Sequence, residues 1–222
     1  MANDLIDFKM RIANVLKDYC WVSHKNKAIF FVIPKNASTA IRESPLMQDS
    51  YRTTFSNLQK TISFEEYTTF TVLREPIERV VSAYYEVIRG NRPGNIYNTV
   101  IGKSFISMNT EPEGFIAFLE DIGENGFFDA HLKPQAYFLT DEKGQPVHID
   151  HYLFFDNIVE DYTKLCSHFG AEYKLPDING FAKGTKKQLL EYIKKDKNIL
   201  KLLDNLYKDD IMLYDEKNNP TK

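Results

Sequence analysis

Six consecutive apolar residues, Ala28-Ile29-Phe30-Phe31-Val32-Ile33, run without a polar interruption into Pro34. A strand with one wet face alternates apolar and polar side chains. A short unbroken run rich in β-branched and aromatic residues instead fits a strand covered on both faces, as in a parallel sheet. Two further runs read the same way. Thr69-Phe70-Thr71-Val72-Leu73 is followed by Pro76, which opens a helix reaching about residue 88. Tyr152-Leu153-Phe154-Phe155 precedes a helical pattern over residues 159–169 that Gly170 ends. Buried strands alternating with helices predict a three-layer α/β domain, a central parallel sheet flanked by helices.

The rest of the chain is read more coarsely. Residues 4–18 carry apolar side chains at helical spacing, with Asn3 or Asp4 as the cap. A long stretch, 89–146, separates the second strand from the third. Within it Phe115, Ile116, Phe118, Leu119 and Ile122 mark a helix, with Pro112 near its start. Residues 186–214 predict one broken amphipathic helix or two consecutive ones. No repeat divides the sequence, and 222 residues suit one domain spanning 1–222.

Composition excludes several classes. Lys plus Arg number 28 and Asp plus Glu 31, a net charge of −3, so nothing general draws the chain to nucleic acid or an anionic membrane. Two cysteines, Cys20 and Cys166, are too few for a disulfide scaffold or a cysteine-ligated zinc site, and fit a reducing compartment. No run approaches 18 apolar residues, so no membrane span is expected. Residues 1–7 hold two acids and no basic residue, unlike a signal peptide. A cytoplasmic location is the expectation.

The chemistry concentrates after the first strand, in Pro34-Lys35-Asn36-Ala37-Ser38-Thr39. Strand, tight loop and helix start in that order favour an anion: small residues admit a close approach, helix-start N–H groups point outward, and Lys35 adds charge. It is not a Walker A loop, which needs two glycines, because no glycine lies between Trp21 and Arg89. The bland alternative is that Pro34 ends a strand and Ser38 caps a helix. A second candidate follows the second strand. Arg74 stands at a strand's carboxyl end, where ligands of open α/β sheets bind, and Ser82 lies about two helical turns on. A guanidinium and a hydroxyl placed so can meet on one phosphate. Arg79 is expected to pair with Glu75 or Glu78 on the surface.

Together the two stretches resemble the sulfotransferase superfamily, in its carbohydrate-type, family-2-like branch. Pro34-Lys35-Asn36-Ala37-Ser38-Thr39 is similar to that family's 5′-phosphosulfate loop, P-K-x-[AG]-[ST]-[ST]. Arg74-Glu75-Pro76 through Arg79 to Ser82-Ala83-Tyr84 is similar to its 3′-phosphate motif, R-[DE]-P-x-x-R-x-x-S-x-Y. Asp129-Ala130-His131-Leu132-Lys133-Pro134-Gln135 resembles its H-x-x-P-Q segment. The late strand and helix and the closing helix, 206–214, follow in order, so the likeness covers nearly the whole chain.

The resemblance implies a P-loop-like fold and 3′-phosphoadenosine 5′-phosphosulfate (PAPS) as donor. By position, Lys35, Asn36, Ala37, Ser38 and Thr39 hold the 5′-phosphosulfate, and Arg74 and Ser82 the 3′-phosphate. The acceptor is a hydroxyl, expected on a carbohydrate, with a glycolipid, a small metabolite or a peptide tyrosine left open, and residues 90–127 are expected to form much of its pocket. Lys35 is the expected catalytic cation on the bridging oxygen. His131 is the preferred general base, oriented by Asp129, and Glu43 or a residue the sequence does not identify is the alternative. No metal is required. His148 and His151 flank Asp150 but do not share a helical face, so a metal site is not expected there. The basic cluster 183–187 reads as a solvated helix start, against closure over the 3′-phosphate. Two other readings stay open: a small-molecule kinase with a degenerate P-loop, and a nucleotide-binding domain without catalysis. Oligomeric state is not legible.

Overall fold

The computed structural model describes residues 19–87, 111–127, 129–141, 143–176 and 185–219. They fall into two compact units. The sheet unit takes its described residues from Leu16–Arg74, Pro134–Gly180 and Leu213–Lys222, the helical unit from Glu75–Lys133 and Phe181–Met212.

In the sheet unit five strands lie in the order β3-β1-β2-β4-β5. They are β1 (Tyr19–Ser23), β2 (Ala28–Phe31), β3 (Tyr51–Thr54), β4 (Thr68–Leu73) and β5 (His151–Phe154). β2, β4 and β5 are parallel, with Phe30 opposite Phe70 and Phe70 opposite His151. β1 runs antiparallel to both β2 and β3. The sheet is therefore mixed, not wholly parallel. The three runs legible in the sequence are its parallel half, and the antiparallel half was not expected.

Alternation along β2 explains why every one of its residues is apolar. Ala28 and Phe30 face a cluster with Ile41, Phe70, Val72, Leu153, Tyr162 and Leu165. Ile29 and Phe31 face the opposite cluster with Cys20, Phe55, Leu58, Leu73 and Phe138. The first face is covered by α1 (Ser38–Arg42) and α6 (Ile158–His168), the second by α2 (Phe55–Thr61) and α5 (Gln135–Phe138). The unit has three layers. The Phe30 and Phe70 rings stack across the parallel pair at 5.1 Å, and truncating either to alanine costs about 3–5 kcal/mol. Thr54 ends β3 and caps α2 by accepting from the Asn57 N–H. Gly170, at φ 66, closes α6.

The helical unit packs α3 (Pro76–Val87), α4 (Glu113–Asn125), α7 (Thr185–Ile193) and the first part of α8 (Lys197–Asn218). Its core joins Val80, Tyr84, Phe115, Phe118, Leu189 and Leu203. α4 contributes Phe115, Phe118, Leu119 and Ile122, the i, i+3, i+4, i+7 stripe that marked it in the sequence. Residues 186–214 form two helices, and the second has a non-helical Tyr207 (φ −124, ψ 25). The helix expected over 4–18 lies outside the described residues.

Candidate functional site

β2 stops at Phe31, and the chain turns through Pro34 into α1. Lys35 (φ 72) and Ala37 (φ 55, ψ 21) both take left-handed backbone conformations. That geometry costs a residue with a Cβ about 1–2 kcal/mol, and neither position is glycine. Non-glycine residues in such conformations cluster at ligand clamps, where the surroundings hold the chain against its preference. Ala37 is the cap residue of α1 and supplies no side-chain hydrogen bond. The N–H groups of Ser38, Thr39 and Ala40 have no acceptor within the helix, since Ile41 is the first to bond back, to the Ala37 carbonyl. Thr39 is exposed, and Lys35, Ala37 and Ser38 are half-buried. α1 has only five residues. What this loop presents to an anion is its own amides, two hydroxyls and the Lys35 charge, more than a helix dipole.

Asn36 is turned the other way. It is 1% exposed, and its Nδ2 donates to the Val72 carbonyl at 2.7 Å and to Gln135 Oε1 at 2.5 Å. Its Oδ1 is buried with no hydrogen-bond partner among the described residues. The carboxamide fastens the loop to the end of β4. Arg74 follows that strand and is almost fully buried. Its Nη1 donates to the Lys35 carbonyl at 3.3 Å, and its guanidinium carbon lies 4.1 Å over the Phe155 ring. Its backbone is held on both sides by Gln135: the Arg74 N–H donates to Oε1 at 3.0 Å, and Nε2 donates to the Arg74 carbonyl at 2.9 Å. The sheet unit thus brings Lys35, Asn36 and Arg74 together, and Gln135, to which the sequence assigned no role, is what ties them. Its signal lay in the Pro134-Gln135 pair of the quoted segment.

In the helical unit Glu75 caps α3. Its carboxylate accepts from the Ile77 N–H at 3.2 Å and the Glu78 N–H at 2.8 Å. Burial pushes the Glu75 carboxyl up, and those two N–H bonds pull against it. Ser82 stands half-buried on the same helix. Arg79 corrects the sequence reading. It is 0% exposed, not a surface residue, and its Nη1 lies 4.0 Å from Asp210 Oδ2, also buried. Arg79 and Asp210 pull the buried Tyr207 phenol in opposite directions, but full burial dominates and raises it. The Tyr207 hydroxyl donates to the Leu132 carbonyl at 2.8 Å, which pins the residue next to His131. His131 Nδ1 lies 2.7 Å from Asp129 Oδ1, and the same oxygen accepts the His131 N–H at 2.7 Å. The expected orienting contact is present.

The remaining candidates are elsewhere engaged. Glu43 is exposed beside Arg42, at 3.4 Å. His148 Nε2 meets Asp150 at 3.0 Å, and the His151 ring packs against His168 at 5.0 Å. His24 contacts Tyr67 and Tyr51. Among the described residues no group of three or more metal-ligating side chains gathers, and no helix is long and apolar enough to cross a membrane. Lys186, the second residue of α7, has its Nζ 5.4 Å from the Tyr85 ring, while 181–184 lie outside the described residues. So do 90–110 of the expected acceptor region, and α4 within the rest is core-packed.

A family model described as "Sulfotransferase family" matches residues 17–215. No curated protein and no solved structure matches the chain.

Proposed function

The chain belongs to the sulfotransferase family, in its family-2-like branch, and from that premise we propose that it moves a sulfuryl group from PAPS to a hydroxyl on a carbohydrate. Sulfotransfer to a hydroxyl-bearing acceptor is what the family gives. The donor and the acceptor class are the reading offered here.

The observation that carries the reading is the contact of Arg74 Nη1 with the Lys35 carbonyl. It fastens the guanidinium of the second motif to the backbone of the first motif's lysine, so the two motifs meet at one loop of the sheet unit, which suits a donor with two anionic ends. A fixed guanidinium suits a phosphate, and an ammonium on a left-handed turn suits a point of growing charge. When bound, PAPS supplies the activated sulfuryl group. Lys35 neutralises charge on the leaving oxygen, and the Ser38 and Thr39 hydroxyls and loop amides bind the adjoining anionic oxygens. Arg74 takes the 3′-phosphate, and Ser82 is assigned to it by the motif. His131, with Nδ1 engaged by Asp129, keeps Nε2 to accept the proton of the acceptor hydroxyl.

Calorimetry with 3′-phosphoadenosine 5′-phosphate, AMP and ATP tests the donor. The bisphosphate binds far more tightly than the other two. A preference for ATP would instead favour the kinase reading, and tight bisphosphate binding without turnover on any acceptor a binding domain.

A further inference from the structure

We propose that Gln135 is a positioning residue that sets Arg74 and the 35–39 loop in register with each other, a role that rests on the donor reading above. Gln135 is 0% exposed. A buried carboxamide must find partners for both its ends, and this one spends them on the two motifs. Its Oε1 accepts from Asn36 Nδ2 at 2.5 Å and from the Arg74 N–H at 3.0 Å, while Nε2 donates to the Arg74 carbonyl at 2.9 Å.

The place of these bonds explains their use. The β4–β5 ladder ends at Leu73 opposite Phe154, so Arg74 is the first residue beyond it. Gln135 supplies there one acceptor and one donor, as a neighbouring strand would, and so fixes the backbone from which the guanidinium extends. Oε1 is shared with Asn36, whose other bond runs to the Val72 carbonyl. The loop and the arginine are therefore referenced to one atom. Pro134, at φ −51 and ψ 147, sets the entry to α5, whose first residue is Gln135. A displacement of this carboxamide moves both charged groups together.

The test uses the full chain with Gln135→Met, which keeps size and removes every hydrogen bond, in wild-type and Arg74→Ala backgrounds. Binding of 3′-phosphoadenosine 5′-phosphate is read by calorimetry. Gln135→Met weakens it about tenfold or more alone and by clearly less once Arg74 is gone, because the part that passes through Arg74 is then already lost and only the part that passes through Asn36 and the loop remains. Losses that simply multiply, or a single-variant change under twofold, overturn the proposal. Gln135→Glu keeps the acceptor and loses the donor. Its deficit relative to wild type shrinks as pH falls and the carboxyl regains a proton for the Arg74 carbonyl, and a pH-independent deficit counts against the clamp. Amide hydrogen exchange gives a readout without ligand. Arg74 N–H exchanges at least tenfold faster in Gln135→Met while Phe70 and Val72 keep their protection, and unchanged exchange at Arg74 refutes the clamp. Should the wild type fail to bind the bisphosphate, the donor reading falls and the exchange measurement still decides the role of Gln135.

Discussion

Arg74 donates through Nη1 to the carbonyl of Lys35 at 3.3 Å, across 39 positions of sequence. The two residues are assigned to opposite ends of the donor, yet one holds the backbone of the other. The contact also limits the arginine's freedom, since its guanidinium is stacked on Phe155 at the same time. Removing Arg74 therefore has two consequences. Affinity for 3′-phosphoadenosine 5′-phosphate falls by about 2–3 kcal/mol in Arg74→Ala, the worth of a charge-assisted contact, and AMP, which meets only the loop whose Lys35 carbonyl has lost its donor, weakens by much less. Calorimetry with both nucleotides measures the difference, and equal losses for the two would remove Arg74 from the 3′-phosphate.

Lys35→Ala separates turnover from binding. Charge on the leaving oxygen grows toward the transition state, so a positioned ammonium stabilises that state more than the ground state. Turnover falls on the order of 100-fold or more, with donor affinity much less affected. The opposite pattern in steady-state kinetics, a raised donor Michaelis constant at constant turnover, would make Lys35 a binding residue only.

The left-handed Ala37 makes a prediction of stability. A glycine there escapes the Cβ clash, although it gives the unfolded chain more freedom. The balance is a gain of about 0.5–1 kcal/mol for Ala37→Gly. In a chain of this size that is a rise of about 1–4 °C in Tm. A lower melting temperature in the variant would show that residue 37 carries no strain.

Asp150 gives the pH dependence. Its Oδ2 accepts from the Thr69 N–H and the Thr69 hydroxyl, each at 2.8 Å, and its Oδ1 faces His148. Burial by itself raises the carboxyl, but the Thr69 bonds and His148 outweigh it and hold the group below its ordinary value of 3.8. A depressed folded value means that the unfolded chain takes the proton first. The stabilisation is therefore complete above pH 3.8 and disappears as pH falls through the folded value. The side chain is 36% exposed, so solvent screening keeps the effect under about 1 kcal/mol. Asp150→Asn is less stable than wild type at neutral pH and equal to it in strong acid. Urea titrations at both pH values measure this, and the same deficit at each would assign it to packing.

How far the sequence carried this structure varies with distance along the chain. β2, β4 and β5 were legible because a strand buried on both faces leaves an unbroken apolar run. β3 was not, because Tyr51-Arg52-Thr53-Thr54 lies at a sheet edge with its first two residues exposed. β1 was hidden by its mixed composition, and its turn to β2 has no glycine, Lys27 taking the positive φ of 51 instead. The Asp129–His131 contact spans two residues and was anticipated. Gln135 meets Arg74 and Asn36 across 61 and 99 residues, and Arg79 meets Asp210 from the far end of the chain. Local patterning carries no trace of such pairs, which is why Arg79 read as a surface residue.

His131 makes the final prediction. Its Nδ1 shares Asp129 Oδ1 with its own backbone N–H, and Tyr207 pins the carbonyl of the next residue. The ring is therefore held in one orientation. With the Nδ1 proton on the carboxylate side, Nε2 carries the lone pair, the arrangement a general base needs. The side chain is 38% exposed, so the ring remains open to solvent and solutes. His131→Ala lowers turnover by about 10²–10⁴-fold while binding of 3′-phosphoadenosine 5′-phosphate survives. Asp129→Asn tests the orientation separately. It keeps an oxygen for the backbone N–H and removes the charge facing Nδ1, so turnover falls by less than in His131→Ala and donor binding is again retained. An alanine variant that keeps most of its activity would move the base elsewhere, with Glu43, exposed at the end of α1, the next residue to replace.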